Sequence, residues 1–214
     1  MAEKIWDISV PYSSDLTGWP GAPPPEIKRY RAISDGFPVN VSRISGGVHS
    51  GTHLDAPVHF IDGATGVDRI PLQQLIGPAY VVDVGEVPSV TAAVLDGVDL
   101  PDGIERLLLK TTNSALWADP SHEFAEDFVA LSADAAEWVV DRGITLIGID
   151  YMSIESYHST DNQTHLTLLG AGIVIVEALD LRAISDGFYQ LICLPLKITG
   201  CDGAPVRAVL MEAG

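Results

Sequence analysis

Basic side chains are scarce in this sequence: 12 Lys and Arg stand against 29 Asp and Glu in 214 residues, a formal net charge of −17. So acidic a chain repels phosphate backbones, which excludes nucleic-acid binding through a basic surface. Cysteine is almost missing. Cys193 and Cys201 form no CxxC, which excludes a disulfide framework, argues against thiolate metal ligation and leaves buried free thiols as the expectation. No apolar run approaches the roughly 18 residues of a membrane span. The opening Met-Ala-Glu-Lys-Ile-Trp-Asp carries no apolar core of a signal peptide, so the chain reads as cytoplasmic with no membrane partner. What is abundant is apolar: 47% of residues are hydrophobic, enough for a well-buried core, and the length suits one domain over residues 1–214.

Patterning along the chain predicts strands over residues 5–10, 27–33, 39–44, 79–84, 106–110, 144–149, 173–176, 189–196 and 206–211. A short helix is expected over 70–76, a second after the N-cap candidate Ser132 through Asp141, and a helical turn over 165–169. Residues 12–25, with Trp19-Pro20-Gly21 and Pro23-Pro24-Pro25, support neither helix nor central strand and read as a rigid surface loop. Strands outnumber helices, which implies an α/β fold with a large mixed sheet.

The segment His49-Ser-Gly-Thr-His53-Leu-Asp55-Ala-Pro-Val-His59-Phe60 concentrates three of the six histidines and a carboxylate. These side chains ligate borderline divalent ions. A helix would pair His49 with His53 but turn Asp55 away. A straight strand would hold His49 and His53 roughly 13 Å apart at about 3.3 Å per residue, too far for one ion. The chain must curl, and Gly46, Gly47 and Gly51 permit it, so the segment reads as a strand ending in a metal-wrapping loop. Three ligands with open positions describe a catalytic centre. Further ligands are sought in His165, before a helical turn, and Glu177, closing an apolar strand. Spacing alone leaves each of them either a ligand or a solvent-facing group. His122 and His158 read as polar-loop residues, and Asp62 and Asp68 as solvated loop.

The histidine segment resembles the signature of the cyclase-type metal hydrolases, the family of bacterial kynurenine formamidase and isatin hydrolase. Trp19-Pro20-Gly21, Gly148-Ile-Asp-Tyr-Met-Ser153, His165-Leu-Thr-Leu-Leu169, Glu177-Ala-Leu-Asp-Leu181, Leu194-Pro-Leu-Lys197 and Asp202-Gly-Ala-Pro-Val-Arg207 continue the likeness in order. The resemblance implies a swivelling β/β/α fold, a homo-oligomer (dimer or tetramer), and one or two Zn²⁺ or Mn²⁺ ions. It implies one ion on His49, His53 and Asp55, and a second shared by Asp55 and held by His165 and Glu177. His59 would be the acid/base, and Trp19 would contact the substrate's aromatic ring.

The chemistry implied is hydrolysis of a non-peptide C–N bond, with arylformamidase (N-formylkynurenine to kynurenine and formate) as first expectation. Isatin-type opening of a cyclic amide is the alternative. A metal-dependent lyase or dehydratase, or a metal-binding module without turnover, are further ones. The presence of His59 argues against a mere binder, which has no need of an acid/base there.

Overall fold

The computed structural model describes residues 4–212, so the opening Met-Ala-Glu of the segment read for a signal sequence lies outside them. Its parallel core consists of four strands: β5 (Ile76–Asp83), β6 (Arg106–Lys110), β7 (Leu146–Ile149) and β8 (Val174–Glu177). The last three are short and almost wholly buried, as expected of parallel strands covered on both faces. Antiparallel partners complete the sheet: β1 (Ile5–Asp7), β4 (His53–Asp55), β9 (Gly187–Pro195) and β10 (Gly203–Glu212).

Strand β10 closes the structure. One of its edges pairs with β9 along Val206–Glu212. The other pairs with β4 through Gly203–Pro205 and with β1 through Val209–Met211. β10, β4, β8, β7, β6, β5 and β9 thereby form a closed, barrel-like ring of seven strands, with β1 laid alongside. The α/β architecture with a large mixed sheet expected from the sequence is present.

Alternation along the strands sorts side chains between two cores. Leu54, Val81, Leu108, Leu146, Val176, Leu191 and Leu210 pack together on one face. Val82, Leu107, Leu109, Ile147, Ile149 and Ile175 pack on the other with α2 (Ala92–Gly97), α3 (Ala133–Asp141) and α4 (Gln163–Gly170). A third cluster gathers Val10, Leu16, Trp117, Phe128, Tyr151 and Ala178.

Several expectations need correction. The first strand ends at Asp7, leaving only an isolated bridge at Ser9. The helix expected over 70–76 shrinks to α1 (Leu72–Leu75), because Ile76 already pairs with Ile192 in the sheet. α2 and the 3-10 helix Thr112–Ala118 had no strong periodic signal and were not anticipated. The strands at 27–33 and 39–44 become β2 (Glu26–Arg31) and β3 (Val41–Ser45), an exposed two-stranded ribbon separate from the main sheet. Cys193 is buried, but Cys201 is only partly so. Asp68 is no solvated acid: its carboxylate, 9% exposed, accepts a hydrogen bond from the Gly200 amide.

Candidate metal-hydrolase site

The centre of the site is a cross-strand pair. In the antiparallel β4–β8 register His53 stands opposite Glu177, and Asp55 opposite Ile175. Directly opposed residues share a face, and so do residues two apart on one strand. His53, Asp55 and Glu177 are therefore delivered together, while Leu54 and Val176 turn into the core. All three polar residues are buried. The histidine segment is thus only partly the loop expected: His53 and Asp55 lie on a strand, and the curl occupies the residues before it.

That curl brings His49 back. Gly51 adopts a left-handed φ of +65°, and the His49 and His53 ring centroids end 5.1 Å apart. His49 Nδ1 lies 2.8 Å from Asp55 Oδ1, and Nε2 lies 2.8 Å from Asp202 Oδ2. Burial works against a charge on this ring, but Asp55 and then Asp202 outweigh it and raise its pKa to about 9. Gly203 admits the ring: a Cβ there would stand 2.6 Å from His49 Cε1.

His59 ends a short 3-10 turn, Pro57–His59, and stacks on His49 with ring centroids 3.9 Å apart. Burial lowers its pKa below the ordinary 6.5. His165, in the first turn of α4, places Nε2 3.7 Å from Asp55 Oδ2 and 3.5 Å from Glu177 Oε1. Its pKa is raised to about 10, burial being outweighed by Glu155 and Glu177. Glu177 is itself held well below the usual carboxylate range: burial opposes its charge, but the His165 and His53 rings favour it. β8 ends just past Glu177 because Ala178 takes a left-handed φ of 55°, a strained conformation for alanine costing on the order of 1 kcal/mol. Two contacts hold it there: its amide donates to Tyr151 O and its carbonyl accepts from Thr52 Oγ1, each at 2.6 Å.

This donor set fits a divalent cation. His53 Nδ1 lies 2.8 Å from Gly51 O, an acceptor, so in the neutral ring Nε2 carries the lone pair. That nitrogen sits 3.1 Å from Glu177 Oε2, yet it makes no hydrogen bond; Asp55 Oδ2, also buried, makes none either. Leaving such atoms unsatisfied costs on the order of 1–3 kcal/mol each, and a cation between them removes the cost. Among the described residues, two groups have ligand atoms within 4.8 Å of one another: His53, Asp55 and Glu177, and His49, Asp55 and His59. Asp55 is common to both. The grouping implied by the resemblance also shares Asp55, with His49 and His53 in one set and with His165 and Glu177 in the other, and His165 Nε2 lies 3.7 Å from Asp55 Oδ2 and 3.5 Å from Glu177 Oε1.

The groups open into a cavity of about 420 Å³ lined by Trp19, Phe60, Met152 and Tyr157. Trp19 is 37% exposed and packs edge-on against Phe124 and Tyr157, with centroids 5.3 Å away in each case. His122 and His158 stay outside this cluster, in contact with Asp119 and Asp127. Two residues escaped the sequence reading. Asp202 was visible only as part of a motif, and buried Glu155, 2.6 Å from His165 Nδ1, gave no spacing signal because a folded-back loop makes the contact.

Residues 6–156 match the protein family described as "Putative cyclase". A kynurenine formamidase of Bacillus cereus is 36% identical over 211 residues, covering 98% of this chain and 99% of that protein. A solved structure described as a "potential metal-dependent hydrolase with cyclase activity" superposes with a TM-score of 0.86 at 32% identity, covering all of both chains. An isatin hydrolase from Labrenzia aggregata shares the fold at a TM-score of 0.82 and 22% identity, covering all of this chain and 95% of that one. The chain belongs to the cyclase family of metal-dependent hydrolases.

Proposed function

We propose that the protein hydrolyses the C–N bond of an aryl formamide, with N-formylkynurenine as first candidate, using zinc or manganese held by His49, His53, Asp55, His165 and Glu177. The observation that carries this reading is the pair of buried, unpartnered atoms His53 Nε2 and Asp55 Oδ2 beneath an aromatic-walled cavity. A cavity of about 420 Å³ is ample for a substituted benzene ring.

A bound divalent ion supplies Lewis acidity, drawing the pKa of water from about 15.7 towards 7 and polarising the amide carbonyl. The chain supplies the rest. His59 lines the cavity, and its lowered pKa keeps it neutral near pH 7, so it can accept the proton of the attacking water. The resulting imidazolium then donates to the departing nitrogen, which otherwise leaves poorly as an anion. Asp55 and Asp202 on either side of His49 hold the ring against which His59 stacks, limiting its swing. Trp19 and Tyr157 offer an aromatic wall to the substrate ring.

The same reading takes the protein as a cytoplasmic homo-oligomer. The β2–β3 ribbon supports oligomerisation, because it exposes Ile27, Tyr30 and Ile44 and carries Lys28, Arg29, Arg31 and Arg43, four of the 12 basic residues of a strongly acidic chain. Two free thiols suit a reducing compartment.

The test is activity of zinc- and manganese-loaded protein against N-formylkynurenine, formanilide, isatin and aliphatic formamides, repeated with Trp19→Ala. Preference for the aryl formamides, with KM raised by Trp19→Ala and melting temperature little changed, is expected. Preference for isatin reassigns the substrate to the cyclic amide, and activity on aliphatic formamides alone removes the aromatic reading.

A further inference from the structure

Among the described residues, Glu155 is the one buried acid bordering the metal cluster that the reaction scheme does not use. It lies between β7 and α4, 4% exposed, and its two oxygens make four polar contacts. Oε1 accepts from Ser159 Oγ at 2.8 Å and from the Thr164 amide at 3.2 Å. Oε2 accepts from the His165 amide at 3.3 Å and lies 2.6 Å from His165 Nδ1. The amides belong to the first turn of α4, whose N-cap residue Asn162 makes no capping bond with its own side chain. Glu155 thus caps the helix from outside it and grips the histidine with the same carboxylate.

We infer that Glu155 is the positioning residue for His165: it fixes the proton on Nδ1 and so turns the Nε2 lone pair toward Asp55 and Glu177, the residues that would hold a divalent ion with it. A carboxylate accepts only, so Nδ1 must be the protonated nitrogen of the neutral ring. Phe60 stacks on the face of the His165 ring, with centroids 4.2 Å apart and an interplanar angle of 15°, which restricts rotation of the imidazole. Nε2 is left facing the two carboxylate oxygens of Asp55 and Glu177. His53 is set up in the same way by a different acceptor, the Gly51 carbonyl. Histidine ligands oriented by a carboxylate typically lose about 10–100-fold in metal affinity when that carboxylate is removed.

The inference rests on the metal reading of the site, and the experiment separates the two. Zinc affinity is measured by competition with a chromophoric chelator for the parent and for Glu155→Gln, together with thermal unfolding of both in metal-free and zinc-loaded form. The amide keeps the size of the side chain but offers a single, uncharged oxygen, so it cannot serve both the helix amides and His165. The expected result is zinc bound about 10–100-fold more weakly, a smaller zinc-induced rise in melting temperature, and a cobalt-substituted absorption spectrum shifted from that of the parent. A merely structural role would lower the metal-free melting temperature and leave affinity and spectrum unchanged, which overturns the inference. Should Glu155→Gln not fold, Glu155→Asp, which keeps the charge but shortens the reach, carries the same readouts. A parent that binds no zinc or manganese overturns the metal reading and this inference with it, whereas a parent that binds and a variant that binds equally well overturns this inference alone.

Discussion

His49 and His59 are parallel imidazoles in contact, yet their surroundings differ enough to give them different work. His49 has a carboxylate on each ring nitrogen and is held charged in the metal-free protein, while among the described residues His59 has no carboxylate nearer than Asp202, at 3.8 Å, and burial holds its pKa below the ordinary value. A residue that must gain and lose a proton near neutrality needs the second environment. His59→Ala is therefore expected to keep near-normal metal content while losing about 10²–10⁴-fold in kcat, the usual scale for a general acid/base. Elemental analysis decides it, because His59 also lies within ligand reach of His49 and Asp55. Loss of metal from His59→Ala would make the residue a ligand and move the proton transfer elsewhere.

At the scale of elements, the loop leaving β7 brings Ser153 and Glu155 to the cavity, and its path is set by the residue just after the strand. The Asp150 carboxylate is fully buried and accepts four hydrogen bonds, from the amides and hydroxyls of Thr111 and Ser114, at 2.6–3.0 Å. Its own carbonyl accepts from Trp117 Nε1. The 3-10 helix after β6 is thereby locked onto the end of β7. Asp150→Asn removes the charge that these four donors share and puts an NH2 where only a hydroxyl can turn to accept it, and is expected to lower stability by about 1–3 kcal/mol. A urea midpoint within error of the parent would show that this lock contributes little. In the sequence Asp150 stands just past the strand expected over 144–149 and shows no sign of the lock, since Thr111 and Ser114 lie some forty residues away and meet it only because β6 and β7 are neighbours in the sheet.

For the whole molecule, protons and metal compete for one cluster, and the sign of that competition can be worked out. His49 and His165 have pKa values raised in the folded, metal-free chain, to about 9 and about 10. Raised values give stability that is fully present below the ordinary 6.5 and is lost as pH climbs through the folded values. Metal must displace these protons from the nitrogens it takes, so binding strengthens over the same interval. The rise in melting temperature on adding zinc or manganese is expected to be larger at pH 8.5 than at pH 6. A rise that shrinks or stays flat between these values would show that neither histidine releases a proton to the ion.

How much of this was legible in advance follows from the range of each interaction. The alternation of the strands, the irregular proline-rich stretch at 12–25 and the crowding of His49, His53, Asp55 and His59 into twelve residues are local properties, and local chemistry determined them. The residues named for the site do converge, with Trp19 among those lining the same cavity. The grouping of donors was not local. It depends on the β4–β8 register, which sets His53 against Glu177 across more than a hundred residues of chain, since a one-residue slip of β4 would put His53 and Asp55 on the opposite face from Glu177. Glu155 and Asp202 likewise acquire meaning only where the chain folds back on His165 and His49. The amino-acid sequence by itself determined which side chains could bind a metal; strand register and loop closure, which pair residues far apart in the chain, decided which of them face one another.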